Sequence, residues 1–340
     1  MKKYIINLQL FATPNTNTTL LSGSGNNLSP EMKTFYDMTL IDEASPQLVH
    51  DQFGQKRPIP ANGGKTIEFR KFSSLPKATT ALTEGVTTDG GKLDVSTITA
   101  TVSQYGYYIV QSDILELTAL DNTILEATKL LGKQAGTTLD TIVRNVLVAG
   151  TNVNYCPSAA APTTEITSRN NLAADSKLTV DVVAQVVAKL RANNAPTING
   201  DYVAIIHPYV AYDLMRDSEW IDAHKYAQPE NLYAGEIGKI GGVRFVQTSE
   251  AKIWTGNGCP SGLAVFATLF FGEGAYGVTE VTGGGLQTIV KQKGSAGTAD
   301  PLDQRSSVGW KALKTAEILV PNYLVRVESC SKFSSTATAN

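Results

Sequence analysis

Side chains able to carry chemistry are scarce in this sequence. Three histidines, His50, His207 and His224, and three cysteines, Cys156, Cys259 and Cys330, are spread over 340 residues. None stands at HxxxH or CxxC spacing, which excludes the usual zinc-ligand patterns and a disulfide framework. Charge is also low: 18% of residues, 29 basic against 31 acidic, for a net charge of −2. That balance excludes a dedicated polycation for nucleic acid or membrane surfaces. No stretch approaches the ~18 consecutive apolar residues of a membrane span. Gly-x-Ser-x-Gly is missing, and the cluster Thr282-Gly283-Gly284-Gly285-Leu286-Gln287 lacks the order of a dinucleotide fingerprint.

One short stretch does resemble a ligand motif. In PIPANGGKTIEF, residues 58–69, Gly64, Lys65 and Thr66 spell the end of a phosphate-binding loop, but the first glycine of that pattern would fall on Ile59. Thr66-Ile67-Glu68-Phe69-Arg70-Lys71-Phe72 then alternates with period two, which predicts a strand where a phosphate loop needs a helix. Asn62-Gly63-Gly64 reads as a turn feeding that strand. A second alternating run, 93–105, makes this region a long two-stranded excursion with its tip around residues 74–92. Such a hairpin has no second apolar layer and is not stable alone.

The remaining pattern is mixed α and β. Lys2 and Lys3 precede an apolar run broken by Asn7 and Gln9, read as an extended arm in place of a signal peptide. Residues 12–30 form a polar tether, and a helix follows from Ser29 and Pro30 toward Pro46. Ile124, Leu131, Leu139, Ile142, Val143 and Val146 keep helical register across 122–150, with Gly132 and Gly136 admitting close approach. From Thr179 onward helix and strand alternate, and two strands over 306–330 close the chain before a polar tail. His207 stands at a strand end before Pro208, where it caps the next helix or marks an α/β active site. Tyr105, Tyr107 and Tyr108 read as core or interface. The carboxylate pairs Glu116/Asp121 and Asp217/Glu219 have spacing ordinary for helix ends.

Read together, LVHDQFGQKRPIPANGGKTIEFRKF, LTEGVTTDGGKLDVSTITATVSQYGYY, EATKLLGKQAGTTLDTIVRNVLVAGT and GEIGKIGGVRFVQT resemble the major capsid proteins of tailed bacteriophages, with the Hong Kong phage type of fold. The resemblance covers about residues 30–330 and implies an α+β capsid fold. Residues 1–55 would be an N-terminal arm, 56–105 the extended E-loop, and 106–177 with 306–333 a P-domain holding the spine helix. Residues 178–305 would be an inserted α/β A-domain and 334–340 a flexible tail. It implies self-assembly into pentamers and hexamers of an icosahedral shell enclosing double-stranded DNA. A separate scaffolding protein, a portal protein and a decoration protein are the other partners it implies, with no membrane, no cofactor and no catalytic or metal site. The protein would be made in the host cytoplasm and reside in the virion. Candidate inter-subunit contacts are Lys56, Arg57, Lys65, Arg70, Lys71, Lys77 and Glu84. The alternatives are a bacterial nanocompartment shell and an α/β nucleotide-binding enzyme.

Overall fold

A computed structural model describes residues 48–340, apart from 61, 73–74, 88–89, 119–122, 228–237, 281, 283, 296 and 298–299. The expected N-terminal arm, tether and helix lie outside the described residues, as does the side chain of His224. In chain order the strands and helices begin with β1 (Gln55–Lys56), β2 (Thr66–Phe72), β3 (Val95–Thr101), β4 (Ser103–Ser112), α1 (Asp113–Thr118) and α2 (Thr123–Val148). They continue with β5 (Val153–Tyr155), α3 (Val180–Ala192), β6 (Tyr202–Ile206), α4 (Pro208–Met215), α5 (Ser218–Ala227), β7 (Lys239–Ile240) and β8 (Val243–Gln247). Last come β9 (Ile253–Trp254), β10 (Val265–Phe271), β11 (Tyr276–Thr279), β12 (Gln287–Lys291), β13 (Arg305–Ile318) and β14 (Leu324–Ser329).

The chain forms two compact units, and the division falls inside β4, α2 and β13. In the smaller unit, 106–133 with 286–311, β12 runs antiparallel to the first half of β13, from Gln287↔Lys311 to Lys291↔Ser307. β4 also pairs with β13. A Cβ on Gly309 would lie 2.6 Å from the Tyr108 Cβ, so only glycine lets the two backbones come this close. Tyr107 and Tyr108, expected in a core or at an interface, are 55% and 68% exposed. Period-two alternation identifies the strand, but both faces of this segment of β4 carry large side chains outward.

The larger unit is built on a seven-stranded sheet in the order β5-β14-β10-β6-β8-β7, with β9 on β10. Strands β6 and β10 are buried along their whole length. Alternate residues therefore serve two separate cores. Tyr202, Ala204 and Ile206 pack with Val183, Val186 and Leu190 of α3, while Val203 and Ile205 face Val143 and Leu147 of α2. Each such large apolar side chain contributes roughly 1.5–3 kcal/mol on burial. Strands β5 and β14 join this sheet too: β14 pairs antiparallel with β10 and parallel with β5. Their sequence pattern marks them as strands without naming a partner.

Helix starts follow local rules. Thr179 Oγ1 accepts from Val182 N–H to cap α3, and Asp217 Oδ2 accepts from Val180 N–H at 2.9 Å. Pro208 opens α4, and His207 is its N-cap, with Nδ1 accepting from Tyr209 N–H at 3.1 Å. The His207 ring packs on Tyr209 and Phe266, at 4.8 and 5.1 Å between centroids.

Two polar clusters tie distant segments into the larger unit. His50 N–H donates to Asp140 Oδ1 at 2.7 Å and His50 Nδ1 meets Oδ2 at 2.6 Å, both residues being fully buried. Tyr276 Oη–H donates to the His50 carbonyl at 2.5 Å, and Lys314 Nζ sits 2.8 Å from Asp51 Oδ1. On the far side, Arg169 forks onto buried Glu328 at 2.6 and 2.7 Å, with its guanidinium 3.7 Å over the Trp254 ring. Arg326 Nε adds a third contact to Glu328 at 2.9 Å.

The C-terminal residues 334–340, expected as a flexible tail, are held. Ser334 O accepts from Ala264 N–H, Asn340 Oδ1 accepts from Ile253 N–H, and Asn340 Nδ2–H donates to Ala251 O. Phe333 stacks on Tyr209 at 4.6 Å, just before them. A polar composition satisfied by backbone partners reads in sequence like a solvated one.

Two measurements check these arrangements. Asp140→Ala leaves the His50 backbone N–H buried without its acceptor and is expected to cost about 1–3 kcal/mol in denaturant unfolding; a loss below about 0.5 kcal/mol contradicts the geometry. Burial lowers the pKa of His207 from 6.5 to about 4, in keeping with its acceptor role. Because the unfolded chain takes up this proton first, stability falls as pH drops from about 6.5 to about 4, by on the order of 2 kcal/mol. His207→Asn keeps an acceptor at the cap and should flatten that part of the pH profile; an unchanged slope refutes the assignment.

Candidate functional site

The feature that leaves the compact body is the hairpin of β2 and β3, residues 66–101. Its two strands pair from Thr66↔Thr101 to Phe72↔Val95, and no third strand joins them among the described residues. The turn before it is the one the sequence suggests. Gly63 N–H donates to Pro60 O at 2.9 Å, and Asn62 and Gly64 take φ of 66° and 87°, the region open to Asn and Gly. Val102 N–H donates to Lys65 O at 2.8 Å and closes the ladder. Lys65 and Thr66 thus lead into a strand, and the phosphate-loop geometry is not formed.

The base of the hairpin is seated. Ile67, Phe69, Ile98 and Ala100 share its inward face, and the Phe69 ring lies where a Cβ on Gly277 of β11 would come within 2.9 Å. Just upstream, β1 pairs parallel with β11, Gln55 against Gly277 and Lys56 against Val278. Toward the tip the cover ends: Leu75, Leu82, Val86, Leu93 and Val95 are 48–79% exposed. The hairpin is half anchored and half bare.

Its charges are distributed unevenly. Lys56 lies 3.8 Å from Asp51 Oδ2, with its side chain 65% exposed. Arg57, Arg70 and Lys71 line one cavity of about 160 Å³ together with Phe69, Ile98, Leu319 and Val320. None of these three cations has an ion-pair partner among the described residues. Lys65, Lys77 and Glu84 are exposed and stand outside that cavity. Grouping the basic residues was possible from sequence, but the apolar wall was missed because Leu319 and Val320 enter from beyond β13.

A second apolar surface lies in the smaller unit. Besides Tyr107, Tyr108 and Val110 of β4, the helix α1 exposes Ile114, Leu115 and Leu117 at 67%, 45% and 81%. Asp113 and Glu116 stand among them, with Glu116 Oε2 2.8 Å from Lys293. Sequence reading missed α1, whose six residues are too short to show a period.

Elsewhere the candidate chemistry resolves into structure. Burial raises the thiol pKa of Cys156, and that of Cys330 to about 11, which removes thiolate reactivity near neutral pH. Asp175, Asp181, Asp217 and Glu219 line an open groove of about 260 Å³ beside Lys177. Hydrogen bonds from the Ser158 hydroxyl and the Ala160 N–H hold Asp175 below the usual carboxylate range. Asp217 is occupied at helix starts, accepting from Val180 and Glu219 N–H groups. Among the described residues no group of three His, Cys, Asp or Glu side chains is placed to hold a metal ion, and no helix is long and apolar enough to cross a membrane.

Comparison with known folds agrees with this arrangement of sheet, long helix and projecting hairpin. The capsid of cyanophage P-SCSP1u is similar with a TM-score of 0.63 at 14% identity, over 82% of this chain and 87% of its own. That of Ralstonia phage GP4 gives 0.62 at 14%, over 84% and 88%, and that of cyanophage Pam1 gives 0.64 at 13%, over 84% and 92%. At such identities the likeness shows the fold, that of tailed-phage capsids. A search of curated proteins finds no match. The phage capsid protein family model matches residues 55–293, most of the chain, and to that family the chain belongs.

Proposed function

We propose that this chain is the major capsid protein of a tailed phage, many copies of which close an icosahedral shell of pentamers and hexamers around double-stranded DNA. The observation that carries the reading is the hairpin, on which Leu75, Leu82, Val86, Leu93 and Val95 stay exposed among the described residues. Exposed apolar surface of this extent marks an interaction site. Because it projects from one part of the chain and must meet a different part of the next copy, the contact is heterologous and closes rings. Each contact can be modest, since every copy engages several neighbours at high effective concentration.

Within that reading residues 1–55 act as the N-arm, 56–105 as the E-loop, 106–177 with 306–333 as the P-domain, and 178–305 as the A-domain. The role is structural and not catalytic. Lys56, Arg57, Lys65, Arg70, Lys71, Lys77 and Glu84 serve contacts between copies. A scaffolding protein guides assembly, a portal protein occupies one vertex, a decoration protein binds the finished shell, and synthesis takes place in the host cytoplasm. The net charge of −2 suits non-specific contact with DNA, because a strongly basic lining would bind the genome too tightly for packaging and release.

The test is size-exclusion chromatography with negative-stain microscopy of the expressed chain, alone and with scaffolding protein. Rings or shells are expected; a monodisperse monomer in both conditions overturns the reading. Deleting residues 74–92 is expected to leave a chain that melts like the wild type but assembles no shells, and normal particles from this variant would refute the role of the hairpin.

A further inference from the structure

The cavity at the hairpin base has the features of a socket. Arg57, Arg70 and Lys71 are among the residues that line it, Phe69, Ile98 and Leu319 give it an apolar wall, and about 160 Å³ of space is open between them. A cavity of roughly 150 Å³ accepts a benzene-sized group, so this one has room for a single aliphatic side chain. Cations around such a wall select an occupant that carries carboxylates beside a projecting leucine or isoleucine.

The chain holds a segment of that chemistry. Helix α1, Asp113-Ile114-Leu115-Glu116-Leu117-Thr118, exposes Ile114 and Leu117 and places Asp113 and Glu116 beside them. Glu116 already meets Lys293, whereas Asp113 has no cation partner among the described residues. Asp113 Oδ1 accepts from the Ile114 N–H at 2.8 Å, leaving Oδ2 for an outside partner. The acidic groove around Asp175, Asp181 and Asp217 is concave like the socket, and two concave surfaces do not fill one another.

We propose that the socket of Arg57, Arg70 and Lys71 receives α1 of a second copy of this chain, Ile114 or Leu117 entering the apolar wall and Asp113 and Glu116 facing the cations. This rests on the reading of the chain as a shell subunit and names which segment of the neighbour the hairpin base grips. The charged rim makes the contact weaken with salt and fixes its register, while the aliphatic side chain excludes water from it.

Charge exchange in the full-length chain tests the pairing, with shell yield read by sedimentation and negative stain and folding checked by thermal melting. Arg70→Glu with Lys71→Glu, and separately Asp113→Lys with Glu116→Lys, should each lower shell yield at least about tenfold, and the four changes together should restore most of it. Single-side variants that assemble like the wild type, or a fourfold variant no better than either, overturn the pairing. A wild type that gives no assembly with or without scaffolding protein overturns the shell reading itself. Should a reversal variant fail to fold, zero-length carbodiimide cross-linking of wild-type assemblies from mixed isotope-labelled and unlabelled chains replaces it. A cross-copy amide between Lys71 and Asp113 or Glu116 supports the socket; Lys71 joined across copies only to other carboxylates, or to none, refutes it.

Discussion

An extended two-stranded hairpin has one face too many, and this constraint orders the rest of the molecule. Two strands without a packed second layer gain too little burial to offset the backbone entropy of holding them extended. The chain answers at one end only. Phe69 is seated over Gly277, β1 is zipped to β11, and the chain just upstream is fixed by His50 on Asp140 and Tyr276. These contacts fix the base of the hairpin, while toward its tip Leu75, Leu82, Val86 and Leu93 stay exposed among the described residues.

The anchoring uses buried polar groups where apolar packing alone would leave several arrangements open. His50 offers both a backbone N–H and a ring nitrogen to one carboxylate, so a slip by one residue loses both bonds at once. Next to it, the Asp51 carboxylate is paired with the largely buried Lys314 ammonium. Buried polar pairs of this sort add little net stability over a well-packed apolar core, but they discriminate against a wrong register. Glu328, held by Arg169 and Arg326 beside Trp254, does the same for the irregular segment that follows β5.

What could be read from the sequence was whatever rests on neighbours along the chain. Thr179 as a cap, Pro208 at a helix start, the Asn62–Gly64 turn and the alternation of Thr66–Phe72 all follow from local rules, and α2 declared itself through a long helical period. Strands of two or three residues, β5, β7 and β9, carry no period to read. The pairing of His50 with Asp140 joins residues 90 apart, and the wall of the basic cavity comes from Leu319 and Val320. Such convergence is a property of the tertiary arrangement, as is the choice of β14 to extend the large sheet.

Among the described residues, neither outer edge of the hairpin is paired with another strand. An uncovered strand edge presents free N–H and C=O groups to any other extended segment, which is the common route to disordered aggregation. Lys65 before β2 and Arg70 and Lys71 within it place exposed positive charge along that strand. Like charges along that strand disfavour a second hairpin laid against it in the same register, which is one of the ways an open edge is kept from indiscriminate pairing.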